Sequence, residues 1–186
     1  MANATNAQSR SEGNIAFLDL EMTGLNPERD VIIQAALIIT NKELEPLDEY
    51  VCDIWQPDEA LNVMSPFVRD MHNKNGLVER VRASRIDVRE AERQLLSRVS
   101  ALCPHPAVLA GNSVWVDRMF LMRYMPALAG FMHYRMIDVT SVRLCVDRWV
   151  GPSGTFNKPS AGEHDALVDT KNSIAELRHY RSVLSK

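Results

Sequence analysis

The sequence predicts a single α/β domain in which one mixed sheet is flanked by helices. Three β-branched segments follow one another with short links near the start, the pattern of an antiparallel meander. Two short apolar strands then alternate with segments of helical periodicity, the pattern of strands joined by helices. The chain has 186 residues, of which 46% are hydrophobic, enough for one sizeable core and hardly for two.

Taken in order, residues 1–14 are rich in Ala, Asn, Ser and Gln and lack an apolar run. They read as a disordered leader, leaving 15–186 as the folded domain. Ile15 to Leu20 is apolar enough for a buried strand, broken by Thr23-Gly24-Leu25-Asn26-Pro27. Val31 to Thr40 is the second strand, and Glu49 to Trp55 the third, closed by Gln56-Pro57. Ala60, Leu61, Met64, Phe67, Val68 and Met71 then recur at helical spacing, with Pro66 expected to kink the helix. Asp87 to Glu90 resembles a capping box ahead of the stripe Val88, Ala91, Leu95, Val99 and Leu102, which Pro104 and Pro106 end.

Val108 to Gly111 is the fourth strand, followed by a helix through Phe120 and Leu121 to Tyr124 that Pro126 should stop. Met136 to Val139 is the fifth, with Thr140 or Ser141 capping a helix to about Trp149. The stretch 151–162 carries three Gly, two Pro and two Ser and reads as a mobile loop. A last helix should bury Leu167, Ile174, Leu177, Tyr180 and Leu184.

Charge is balanced, 21 Lys+Arg against 24 Asp+Glu for a formal −3. A broad basic field for gripping long nucleic acid is thereby excluded, because such binding scales with the phosphates neutralised. An enzyme with a small nucleic-acid footprint is not. Cys52, Cys103 and Cys145 form no C-x-x-C pair, so neither a disulfide framework nor a zinc knuckle is readable, and a reducing cytoplasm fits. Every apolar run is far shorter than the ~18 residues that span a bilayer, so no membrane association is expected.

The candidate chemistry lies in acids at element ends. Period-two geometry turns Asp19 and Glu21 to one face of the first strand, where two carboxylates repel unless a cation such as Mg²⁺ or Mn²⁺ lies between them. The alternative for such a pair is solvated acids at a strand end. Asp117 follows the Gly111-Asn112-Ser113 turn near a helix start, where the helix dipole favours a carboxylate. Asp169 sits near the buried side of the last helix and needs a partner, for which a metal is one candidate. His164 is five residues earlier, about 500° of helical rotation, so the two do not share a face. That suits a histidine at the helix entrance, free to take a proton from water.

Asp19-x-Glu21, Asp117 and His164-x-x-x-x-Asp169 stand in the order of the DEDDh 3′→5′ exonucleases, which have an RNase H-like fold. Within that family the chain most resembles the oligoribonucleases. Leu18 to Leu25 (LDLEMTGL) is similar to their first motif, and Gly111-Asn112-Ser113 through Asp117-Arg118 and Phe120-Leu121 to their second. His133-Tyr134-Arg135, Ile137-Asp138-Val139, Arg148-Trp149 and Ser173-Ile174-x-Glu176-Leu177 are further family marks, so the likeness runs from about Ile15 to Tyr180. The chain departs at Phe17 and Phe67, where Trp is usual, at Gln34 and Asn172, where acids are usual, and in the composition of 151–162.

The resemblance implies two divalent cations, Mg²⁺ or Mn²⁺, held by Asp19, Glu21, Asp117 and Asp169, with His164 as general base. It implies 3′→5′ hydrolysis of dinucleotides and other very short oligoribonucleotides to nucleoside 5′-monophosphates. For substrate binding it implies Leu25 as a wedge between bases and Phe67 facing the substrate. It implies Ser113, Arg135 and Thr140 as a cap on the 5′ phosphate. His72 and Tyr134 would complete the pocket across a homodimer interface. Two other readings compete. A broader exonuclease would act on RNA 3′ ends or single-stranded DNA, and an inactive binding module would only hold RNA ends or a partner.

Overall fold

A computed structural model of the chain describes residues 11–159 and 165–185. Its strands are β1 (Ile15–Met22), β2 (Ile32–Thr40), β3 (Pro46–Asp53), β4 (Ala107–Gly111) and β5 (Met132–Asp138). Its helices are α1 (Asp58–Leu61), α2 (Pro66–Lys74), α3 (Leu77–Ala83), α4 (Val88–Leu102), α5 (Trp115–Tyr124), α6 (Pro126–Phe131), α7 (Val139–Trp149) and α8 (Ala166–Leu184). One mixed sheet has the order β3-β2-β1-β4-β5. The meander pairs β1 with β2 and β2 with β3 antiparallel, while β4 runs parallel to both β1 and β5.

The period-two alternation of β1 divides the core. Ala16, Leu18 and Leu20 face the cluster built by α4, α5 and α6, including Leu95, Val99, Phe120 and Leu128. Phe17 faces the opposite cluster with Val139 and Val146 of α7 and Ile174 and Tyr180 of α8. The residues that share the face of Phe17, Asp19 and Glu21, therefore point toward the α8 side. Every position of β2 is buried, as a strand covered on both faces requires. A third cluster joins Ile33 to Leu61 and Met64 and to Leu77, Val78 and Val81 of α3.

Several expectations change on folding. Pro66 does not kink one helix; it starts α2 at the first helical position, with the Ser65 hydroxyl accepting from Val68 N–H and α1 ending before it. Pro126 likewise stops α5 and opens α6. The short α3 was not legible in advance. The cap of α7 is Asp138, not Thr140 or Ser141, because the Asp138 carboxylate accepts from Ser141 N–H while Thr140 is drawn into another network. Asp87 caps α4 by accepting from Glu90 N–H, the first half of a capping box, while the Glu90 carboxylate accepts from Arg93 and Gln94.

Residues 1–10 of the expected leader lie outside the described residues, but Asn14 is buried and donates Nδ2–H to the Leu102 carbonyl at 2.7 Å. Asn14, the last residue of that stretch, is thus packed against the end of α4. In the expected loop, Pro152–Gly154 forms a 3₁₀ turn, and 160–162 lie outside the described residues. Leu184, expected on the buried side of the last helix, is exposed.

Candidate active site

The site forms where the C-terminal ends of β1 and β4 lie side by side in the parallel pair. Gly111 permits that approach: a Cβ there would stand 2.7 Å from the Leu18 carbonyl oxygen. The chain then turns through Ser113, whose φ is +49°, into α5, which carries Asp117 in its first turn. From the far side of the sheet, α8 brings Asp169 in its own first turn, after the Asp165 side chain caps the helix through Leu167 and Val168 N–H.

Gln34 of β2 fixes the start of α8. Its side-chain carbonyl accepts Ala166 N–H at 3.0 Å while its amide donates to Asp53 at 2.7 Å. An amide supplies both a donor and an acceptor, which a carboxylate does not. This explains how Gln34 serves where an acid is usual.

Asp19, Glu21 and Asp169 converge, each offering a carboxylate oxygen within 4.8 Å of the others. Asp117 stands beside them but spends Oδ1 on Leu20 N–H, 2.9 Å away. The predicted four acids thus divide into a convergent trio and one acid hydrogen-bonded to the strand between the first pair. The donor set is all carboxylate, the chemistry of a site for hard cations such as Mg²⁺ or Mn²⁺.

The electrostatics agree. Burial first, then the charges of Asp117, Glu21 and Asp169, push the Asp19 carboxyl well above its ordinary value. Glu21 is raised to about 8 by burial and then by Asp169, Asp117 and Asp165. Burial also raises Asp117 to about 7, against the pull of its backbone hydrogen bonds. Such a cluster holds its full charge only beside cations. One is supplied by the chain itself, Lys158, whose Nζ lies 2.7 Å from Asp169 Oδ1.

His164, the expected base, lies outside the described residues; in sequence it immediately precedes the α8 cap Asp165. His72 packs against the end of β1. It is fully buried within its own chain, where Nε2–H donates to the Met22 carbonyl at 3.1 Å, 3.9 Å from Glu21 Oε2. The ring therefore braces Met22 and stands beside Glu21 within its own chain. Tyr134, by contrast, is 67% exposed on the edge strand β5.

Of the expected phosphate cap, Ser113 and Thr140 come together, with Ser113 Oγ–H donating to Thr140 Oγ1 at 3.2 Å. Thr140 in turn donates to Asn112, whose amide reaches Ser173 and Glu176 of α8. Arg135 does not join them among the described contacts; its guanidinium lies 4.9 Å over the Tyr134 ring. Leu25 and Phe67 are 72% and 76% exposed. Sequence reasoning missed Lys158 and the roles of Asp138 and Gln34. Asp138 stands in a family motif and Gln34 at a departure from the family pattern, whereas a lone loop lysine carries no signal.

The chain matches the exonuclease family RNase_T over residues 16–177. It is 45% identical over 175 residues to an oligoribonuclease of Photorhabdus laumondii, covering 93% of this chain and 96% of that protein. An oligoribonuclease of Aromatoleum aromaticum is 41% identical over 175 residues, with 93% and 95% covered. Among solved structures, E. coli exonuclease I in complex with single-stranded DNA superposes with a TM-score of 0.71 at 17% identity. Exonuclease I of Methylocaldum szegediense gives 0.67 at 21%. This chain is covered to 95% and 93% but spans only about two fifths of those longer chains, 42% and 41%, and the likeness bears on the fold, which is RNase H-like.

Proposed function

This chain belongs to the RNase_T exonucleases and, within them, to the oligoribonucleases, and from that premise we propose that it removes nucleoside 5′-monophosphates from the 3′ ends of dinucleotides and very short oligoribonucleotides. That it is a nuclease follows from the family. The observation that carries the finer reading is the convergence of Asp19, Glu21 and Asp169 within 4.8 Å, linked through Ser173 and Asn112 to the hydroxyl pair of Ser113 and Thr140.

Asp19, Glu21 and Asp169, with Asp117 alongside, would hold two divalent cations, Mg²⁺ or Mn²⁺. When bound, such cations lower the pKa of an attacking water and stabilise the leaving 3′ oxygen. The protein's own residues do the rest. His164, which immediately precedes the α8 cap Asp165 in sequence, takes the proton of the water, a role suited to a neutral imidazole. His72 holds the end of β1 through Met22, and so fixes Glu21.

Leu25 and Phe67 offer apolar faces to the two bases, and Ser113, Thr140 and Arg135 meet the 5′ phosphate. A cap satisfied by one terminal phosphate leaves no path for a longer strand, and the chain's charge balance offers no basic track to hold one. Tyr134 on the open edge of β5 is the pocket residue we assign to a partner protomer, in a homodimer working in the cytoplasm. Among the described residues no helix is long and apolar enough to cross a membrane.

A cleavage series on RNA from two nucleotides upward, with Mg²⁺ or Mn²⁺ and with EDTA, tests the reading. Dinucleotide should outcompete a long single strand, and chelation should abolish cleavage. Preference for the long strand would favour the broader exonuclease instead.

A further inference from the structure

Lys158 lies in the loop whose composition departs from the family, and its placement is built rather than incidental. The loop is pinned to α7 and α8 just before it. His179 Nε2–H donates to the Gly154 carbonyl at 2.9 Å, and Thr155 Oγ1–H donates to Asp147 at 3.3 Å. Phe156 packs into the core beside the His179 ring, with centroids 5.6 Å apart. Two residues on, the Lys158 ammonium meets Asp169 at 2.7 Å while its side chain stays 40% exposed. Its base is anchored and its tip can pivot. Its charge also opposes the mutual repulsion at Asp19 and at Glu21.

We propose that Lys158 is a substrate-binding residue: it neutralises the acid cluster before cations arrive, and then turns to a non-bridging oxygen of the bound phosphodiester. This rests on the reading of the cluster as a site for two divalent cations. Cations of charge +2 bound by Asp169 would repel the ammonium and take over the oxygen it contacts. A phosphodiester arriving at the same cations brings negative charge within the sweep of a flexible four-carbon stem. An ammonium suits that exchange, because it is a compact point charge that donates in any direction, and charge-assisted bonds to phosphate are among the stronger ones.

The two halves of the proposal have opposite signs, which makes them separable from a structural role. Lys158→Met keeps the length of the side chain and removes the charge. Mn²⁺ titrated alone into nucleotide-free Lys158→Met should bind roughly threefold or more tighter than to the unmodified chain, since no ammonium has to be displaced. A non-hydrolysable dinucleotide, titrated with Mn²⁺ saturating, should bind roughly tenfold more weakly. Lys158→Arg should bind that dinucleotide within about threefold of the unmodified chain, because the charge is retained. Mn²⁺ affinity equal to or below that of the unmodified chain, or unchanged dinucleotide affinity, in Lys158→Met overturns the proposal. Failure of the unmodified chain itself to bind Mn²⁺ would overturn the underlying reading of the site.

Discussion

Asp117 Oδ1 accepts the backbone N–H of Leu20 at 2.9 Å, joining the first turn of α5 to the residue between the two acids of β1. The bond lets one side chain do two separable things. It satisfies a buried strand amide, and it brings a fourth carboxylate against Asp19.

Asp117→Asn keeps the oxygen acceptor and removes the charge. Its thermal stability under EDTA should match or exceed that of the unmodified chain, while cleavage falls by roughly 10²-fold or more, as when a group central to the chemistry is lost. Asp117→Ala should lose the same activity and also about 1–3 kcal/mol of stability, because Leu20 N–H is left buried without a partner. Denaturation of the two chelated variants checks the difference.

The metal-free protein should become less stable as pH rises. Asp19 and Glu21 are raised by burial and by neighbouring carboxylates, Glu21 to about 8, and Asp117 is raised by burial to about 7. Between the ordinary carboxylate value of about 4 and these raised values, the folded state holds more protons than the unfolded one, so unfolding free energy falls with pH. Melting temperature measured in EDTA should decline from pH 5 to 8, and Mn²⁺ should flatten the slope by stabilising the ionised acids. A flat profile in EDTA would contradict the buried cluster.

Gly24 lies against the buried Asp30, and a Cβ there would come within 2.5 Å of its carboxylate. Asp30 accepts Asn26 N–H and so shapes the turn that presents Leu25. Gly24→Ala must move this turn. It should raise KM for a dinucleotide while leaving Mn²⁺ affinity within about twofold, since the acids lie on other segments; steady-state kinetics and metal titration together test it.

His164→Ala should leave Mn²⁺ binding intact and reduce turnover by roughly 10²-fold or more, the scale of a lost general base. Undiminished turnover would remove His164 from the mechanism.

The acids were legible because strand and helix periods are local. Asp19 and Glu21 fall on one face at any register, and Asp169 sits near the buried face set by Leu167 and Ile174. The ends of elements were less legible. Pro66 and Pro126 read as a kink and a stop, but each starts a helix, because a first-turn residue needs no N–H. His72 read as a pocket residue, and its contact with the Met22 carbonyl at the end of β1 was not legible. Nothing in the sequence around 72 announces that α2 folds back onto Met22.

By itself, then, the sequence determined the mixed sheet, the acids and the family, since these depend on residue type, short-range spacing and motif order. Tertiary structure alone decided how the acids divide, with three converging and Asp117 tied to Leu20. It also brought Gln34 to the start of α8 and Lys158 to Asp169. The reason is physical. Each of those relationships joins segments from different parts of the fold, and a hydrogen bond or ion pair forms only once packing has brought its partners within about 3 Å.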